Sequence, residues 1–135
     1  MFRELFELET DERIEILDIT KEVEFIISKS LYKTGIANIY SRHSTSGIIV
    51  NENELGLLKD FKYALKNLVP TDENYHHNRI DNNADSHIIS FLICNSETIP
   101  VYDGKLDLGT WQSIFFVELD GPRSRKVTVT VLGDK

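Results

Sequence analysis

The sequence predicts an α+β protein built on a large, mostly antiparallel sheet system with two or three helices. Three observations carry this. Two segments of the first two-thirds place apolar residues at helical spacing, "VEFII" and "LLKDFKYALKNLV". The last third is a chain of short β-branched and aromatic runs separated by turn residues. The composition, 41% apolar and 27% charged over 135 residues, suits one soluble domain, 1–135, with a buried core.

The elements follow in order. "FRELFEL" and "ERIEIL" alternate as half-buried strands do. Thr20 is placed to cap a helix whose apolar face is Ile19, Val23, Ile26, Ile27 and Leu31, with Gly35 as its stop. "IANIYSR" and "GIIVN" read as strands. Leu57, Leu58, Phe61, Ala64, Leu65 and Leu68 mark one face of a second helix, closed by Pro70. A polar loop runs from Thr71 to about Asp81, and Asn82 or Asn83 caps a short helix carrying Ala84, His87, Ile88, Phe91 and Leu92. "ETIPVY" and "KLDL" flank Asp103-Gly104, a type I′ hairpin signal. "WQSIFFVEL" and "KVTVTVLG" complete the strands. "IFFV" is apolar on both faces, so a sheet, a helix or another subunit must cover each side.

The net charge of −7 argues against a broad nucleic-acid-binding face. There is no apolar leader and no run of 18 apolar residues, so no membrane partner and a cytoplasmic location are expected. The single cysteine, Cys94, sits in the apolar run "IISFLIC" and reads as a buried thiol; Trp111 reads as a core or interface residue.

Four clusters hold chemistry. "YHHNRIDNNADSH" carries three of the four histidines, His76, His77 and His87. Imidazoles serve as metal ligands and as bases near neutral pH. His43, His77 and His87 supply three ligands if the fold brings residue 43 to the loop, the number a catalytic zinc takes. Without that convergence they are capping or surface residues of a polar loop, since no H-E-x-x-H is present. "RHSTSGIIVNENE" adds the hydroxyls Ser44 and Thr45, a weak anion-binding signal, and Asn51 and Glu52. It is neither a P-loop nor a nucleophile elbow. "ELDGPRSR" carries Arg123 and Arg125, two apart in an extended chain and so on one side. They make either a phosphate clamp or partners for Glu118 and Asp120. "GTWQ", residues 109–112, is the fourth.

Together these stretches, in this order, resemble the YjbQ-like family from about Phe2 to Leu132. His43-Ser44-Thr45, Asn51-Glu52, Tyr75 and His77, Asn83-Ala84-Asp85-Ser86-His87, Gly109–Gln112 and Asp120–Arg123 carry the likeness. Asn82 stands where the family pattern has Asp, and His76 has no counterpart. The resemblance implies a mixed, largely antiparallel β-sandwich-like fold that assembles as a homotrimer, for which "IFFV" is the expected interface strand. It implies a thiamine-phosphate synthase-like transfer, joining a pyrimidine pyrophosphate to a thiazole phosphate with loss of pyrophosphate. The expected divalent metal is zinc on His43, His77 and His87, with magnesium as the alternative carried by the pyrophosphate. Glu52, Asp85 and Arg123 are the expected catalytic residues. Ser44, Thr45, Arg123 and Arg125 are expected to hold the phosphorylated substrate. A non-catalytic anion-binding trimer and a metal-dependent phosphoester hydrolase are the alternative readings.

Overall fold

The computed structural model describes all 135 residues. Its elements are β1 (Phe2–Glu9), β2 (Glu15–Asp18), α1 (Thr20–Ser30), β3 (Thr34–Ser41), β4 (Ser46–Asn51), α2 (Leu55–Leu68), a 3₁₀ turn (His76–Arg79), α3 (Ala84–Ile93), β5 (Ser96–Tyr102), β6 (Lys105–Leu106), β7 (Ser113–Glu118) and β8 (Ser124–Asp134). One sheet has the order β1-β8-β3-β5-β6 and the other β2-β7-β4. Every pairing is antiparallel.

The sheets pack face to face, and α1 joins them. Ile39 and Val127, Val129 and Val131 of the larger sheet meet Ile48, Ile114 and Phe116 of the smaller and Val23, Ile26 and Ile27 of α1. A second apolar layer lies on the far side of the smaller sheet. There Leu65 and Val69 of the α2 region and Ile89 of α3 cover Val117 and Leu119. The doubly apolar "IFFV" is thereby buried on both faces within one chain, by a sheet and by helices. That corrects its expected role as the subunit interface.

Several local expectations change for identifiable reasons. Ile19, not Thr20, stands at the α1 cap position, and the capping is done from further back. Asp18 Oδ1 accepts from both the backbone N–H (2.9 Å) and the hydroxyl (2.6 Å) of Thr20. The Thr20 hydroxyl in turn accepts from Ile114 N, tying the helix to β7. α1 stops at Leu31, which takes φ 61°, and not at Gly35. Gly35 lies opposite Gly133 in the β3–β8 ladder, where a Cβ on either would lie 2.0 Å from a backbone carbonyl oxygen across the pair. The Asp103-Gly104 turn has positive φ at both residues, as the type I′ signal requires. Cys94 is exposed, not buried, and Trp111 is exposed and so not a core residue of the chain. The run "IISFLIC" is helical and turns Phe91 outward at 84% exposure, while Trp111 lies in the turn before β7 at 73%.

A candidate acid–base site around a histidine pair

The strands of the smaller sheet set the geography. Ser46 pairs with Glu118 at one end and Asn51 with Ser113 at the other. Five residues of strand separate these ends by roughly 17 Å. His43 to Thr45 and Asp120 to Arg123 therefore gather at the first end. Glu52 and Gly109–Gln112 gather at the second.

At the first end the expected loop residues converge. His77 and His87 meet edge to face, with ring centroids 4.8 Å apart. His77 comes from the 3₁₀ turn and His87 from the first turn of α3. Asn83 stands at the α3 cap position, yet its side chain does not cap the helix; Asn78 Oδ1 accepts from Ala84 N at 3.0 Å in its place. The Asn83 amide is used elsewhere. Its Nδ2 donates to Asp120 Oδ2 at 2.8 Å, and its oxygen lies 3.0 Å from His77 Nε2. An ionised carboxylate only accepts, so the amide nitrogen must face Asp120 and the amide oxygen must face the ring. His77 Nε2 therefore carries a proton, and its Nδ1 is left as the basic nitrogen. Arg123 completes the chain, donating from Nε to Asp120 O at 2.8 Å and from Nη2 to Asp120 Oδ2 at 3.1 Å. A 520 Å³ cavity lined by Tyr75, His77 and His87 adjoins a 300 Å³ one lined by Ser44, His87 and Asn95. His87 belongs to both.

The other site candidates are placed differently. His43 Nε2 accepts from the backbone N–H of Lys126 at 3.0 Å, so its proton is on Nδ1 and its Nε2 lone pair is engaged. Burial, reinforced by the nearby Arg125 charge, lowers its pKa and keeps the ring neutral. No group of three His, Cys, Asp or Glu side chains lies close enough to hold a metal ion. The three-imidazole centre expected from His43, His77 and His87 is thus not assembled in one chain: two imidazoles converge and the third nitrogen is spent on backbone.

Arg123 and Arg125 do not form a clamp. Arg125 points into the protein and bonds Glu118 through Nε to Oε1 at 2.8 Å and through Nη2 to Oε2. Its Nη2 also donates to Thr45 Oγ1 at 2.9 Å. Both charged side chains are at most 4% exposed. This pair joins the two sheets, since Arg125 is the second residue of β8 and Glu118 ends β7. Burial raises the Glu118 pKa, but the Arg125, Asp120 N–H and Thr10 hydrogen bonds outweigh it and hold the carboxyl below its usual range. Thr45 is thereby a structural partner, while the exposed Ser44 lines the 300 Å³ cavity.

Asp85 faces away from the histidines. It forms a two-pronged ion pair with Arg13, Nη1 to Oδ2 at 3.0 Å and Nη2 to Oδ1 at 2.9 Å, and accepts from the Thr71 hydroxyl. Burial raises its pKa, and the bonds from Arg13 and Thr71 more than reverse this. Glu52 lies at the second end of the sheet, beside a different cavity.

Of the residues expected from the sequence, His77, His87, Ser44 and Arg123 lie together at this end of the sheet. The sequence showed Asn83 as a cap and as part of the Asn83–His87 motif but not as a link, and did not show Asp120 as that link's anchor. The signal was the Asp-Gly-Pro-Arg turn. Gly121 is held there because a Cβ would lie 2.3 Å from Glu12 O and 2.8 Å from Thr10 Oγ1.

Known proteins share this fold. The chain is 53% identical over 126 residues to a UPF0047 protein of Methanothermobacter thermautotrophicus, covering 93% of this chain and 88% of that protein. It is 34% identical to the UPF0047 protein YugU of Bacillus subtilis, covering 94% and 96%. Among solved structures, a YbjQ-like protein of unknown function from Sulfolobus solfataricus superposes with a TM-score of 0.97 at 41% identity, over 98% of this chain and 97% of that one. A YjbQ/UPF0047 family protein from Clostridium acetobutylicum does so with a TM-score of 0.91 at 35% identity, over 95% and 98%. Residues 4–134 match the family described as UPF0047 protein YjbQ-like, and the chain belongs to that family.

Proposed function

We propose that the chain is an enzyme acting on a phosphorylated small molecule, by a transfer like that of thiamine-phosphate synthase, with the His77–His87 pair as the centre that orients the substrate and donates to the departing oxygens. The observation that carries this reading is the chain Arg123–Asp120–Asn83–His77, which holds one imidazole in a single tautomer beside a second imidazole that has no protein hydrogen bond of its own. In the transfer, the thiazole nitrogen forms a bond to the pyrimidine methylene carbon as the carbon–oxygen bond to pyrophosphate breaks. The departing oxygens then need positive charge or proton donors. His87, Ser44 and the exposed Arg123 guanidinium are the groups this chain offers; the thiazole nitrogen carries no proton to remove, so His77 acts by orienting the substrate beside His87. Thr45 and Arg125 support the frame and do not touch substrate.

A divalent ion enters this proposal as one carried by pyrophosphate. Zinc or magnesium with two imidazoles would draw its remaining ligands from phosphate oxygens, and no step above depends on it. The proposal includes homotrimeric assembly, for which exposed Phe91, Leu92 and Trp111 are better placed than the buried "IFFV". The second reading is a non-catalytic anion- or metabolite-binding trimer. It is favoured by Asp85 and Arg125, which are tied up in ion pairs and leave fewer groups for chemistry.

The test is release of pyrophosphate from the pyrimidine and thiazole substrates, with zinc, with magnesium and with neither. The protein is purified without chelator or nickel resin, and its metal content is measured. Turnover that His87→Ala abolishes supports the enzyme. Pyrophosphate binding without turnover under all three conditions establishes the binding module instead.

A further inference from the structure

The second end of the smaller sheet carries a cavity that the histidine site does not use. α2 is loosely seated there. Within the helix only Leu65 is buried, and Leu55, Leu57, Tyr63 and Leu68 are exposed. Beneath its first turns a cavity of 350 Å³ opens against β4 and β7, walled by Ile49, Leu58, Phe61 and Phe115. Protein interiors leave few voids larger than a water molecule. A volume of this size falls within the roughly 300–1,000 Å³ of small-molecule sites, which are mostly apolar with a few polar groups.

The charged groups lining it are two carboxylates, Glu52 and Glu97, with no Lys or Arg. Both are half-buried, and neither forms an ion pair. The neighbouring Glu54 is occupied, accepting from Gly56 N and Leu57 N as the cap of α2. Two unpaired carboxylates beside an apolar wall repel phosphates and attract an apolar body bearing a positive charge.

We propose that this cavity binds an amphipathic organic cation, with an aryl or alkyl body between α2 and Phe115 and an ammonium group held by Glu52 and Glu97. Its lining shares no residue with the two cavities at the histidine pair. A charge-assisted contact of this kind shifts affinity by roughly ten-fold or more.

The experiment titrates the full-length protein with 4-phenylbutylamine, its neutral analogue 4-phenylbutan-1-ol, and 4-phenylbutanoate, read by calorimetry. The amine is expected to bind roughly ten-fold tighter than the alcohol, with the carboxylate weakest. The double variant Glu52→Gln with Glu97→Gln should bring the amine down to the alcohol. Leu58→Trp, which fills the space, should remove binding of both. Inorganic pyrophosphate should not compete, which separates this outcome from any result at the histidines. Equal affinity for the three probes overturns the proposal. So does the absence of binding at millimolar concentration, the result expected if a second copy of the chain covers the cavity.

Discussion

The two ends of the smaller sheet are built by opposite strategies. At the histidine end, polar groups are wired to one another. Glu118 accepts from Arg125, Thr10 and two backbone N–H groups, Asp85 takes both prongs of Arg13, and the Asn83 amide spans His77 and Asp120. At the α2 end, a 350 Å³ space is left unfilled and two carboxylates are left unpaired. Wiring holds donors and acceptors in fixed directions, which proton transfer requires. Loose apolar packing selects by shape and charge, which binding requires. One sheet thus supports a wired polar cluster and an unfilled apolar cavity on non-overlapping sets of residues.

The sharpest way to break this contrast is to cut the wiring at Glu118. Glu118→Ala leaves the Arg125 guanidinium buried and unpaired and should cost about 3–5 kcal/mol, read by urea unfolding. Replacing both residues together with Met and Leu should cost far less than the single change. A loss under about 1 kcal/mol for the single variant would show that the pair is solvated and the two ends are built alike.

Acid should separate the ends next. Asp85 and Glu118 have folded pKa values below their ordinary ones, so their stabilisation is complete above the unfolded carboxylate range near 4 and is lost as pH falls through the folded values. His43, also lowered, adds a loss that begins as pH falls below about 6.5, because the unfolded ring binds its proton first. Thermal unfolding from pH 8 to pH 2 should show both regions, and His43→Gln should remove only the upper one. A profile unchanged in His43→Gln contradicts a neutral His43.

The tautomer chain predicts a smaller and more specific effect. Asn83→Ala should cost about 1 kcal/mol in stability, yet let His77 exchange tautomers. The ¹⁵N shifts of the ring should move from a single Nε2–H form to a mixture, and Asp120→Asn should give an intermediate result. Identical His77 spectra in the wild type and Asn83→Ala would remove the orienting role.

The smallest effect belongs to the loose end. Leu58→Trp should stabilise the chain by about 0.5–2 kcal/mol if the space beneath α2 is open in solution. Destabilisation there would show that α2 already closes onto the sheet.

Much of the architecture was legible along the chain, because strand alternation, helical spacing and turn chemistry are local. The Asp103-Gly104 hairpin, the second helix and the two-faced burial of "IFFV" all follow from near neighbours. So did the pairing of His77 with His87, whose connecting Asn and Asp residues turn the chain back within a few residues. The partners of charged groups were not legible. Alternation put Arg123 and Arg125 on one side, but Arg123 precedes β8, so Arg125 turns inward to Glu118 while Arg123 stays 52% exposed. Asp85 sits two residues before His87, and helical geometry sends it to Arg13, 72 residues away. His43 meets the backbone of Lys126 because β3 and β8 are paired. Local sequence decides which residues are polar and which elements form. Only the packing of distant elements decides which donor each buried acceptor meets, because a desolvated charge takes the nearest partner in space and not along the chain.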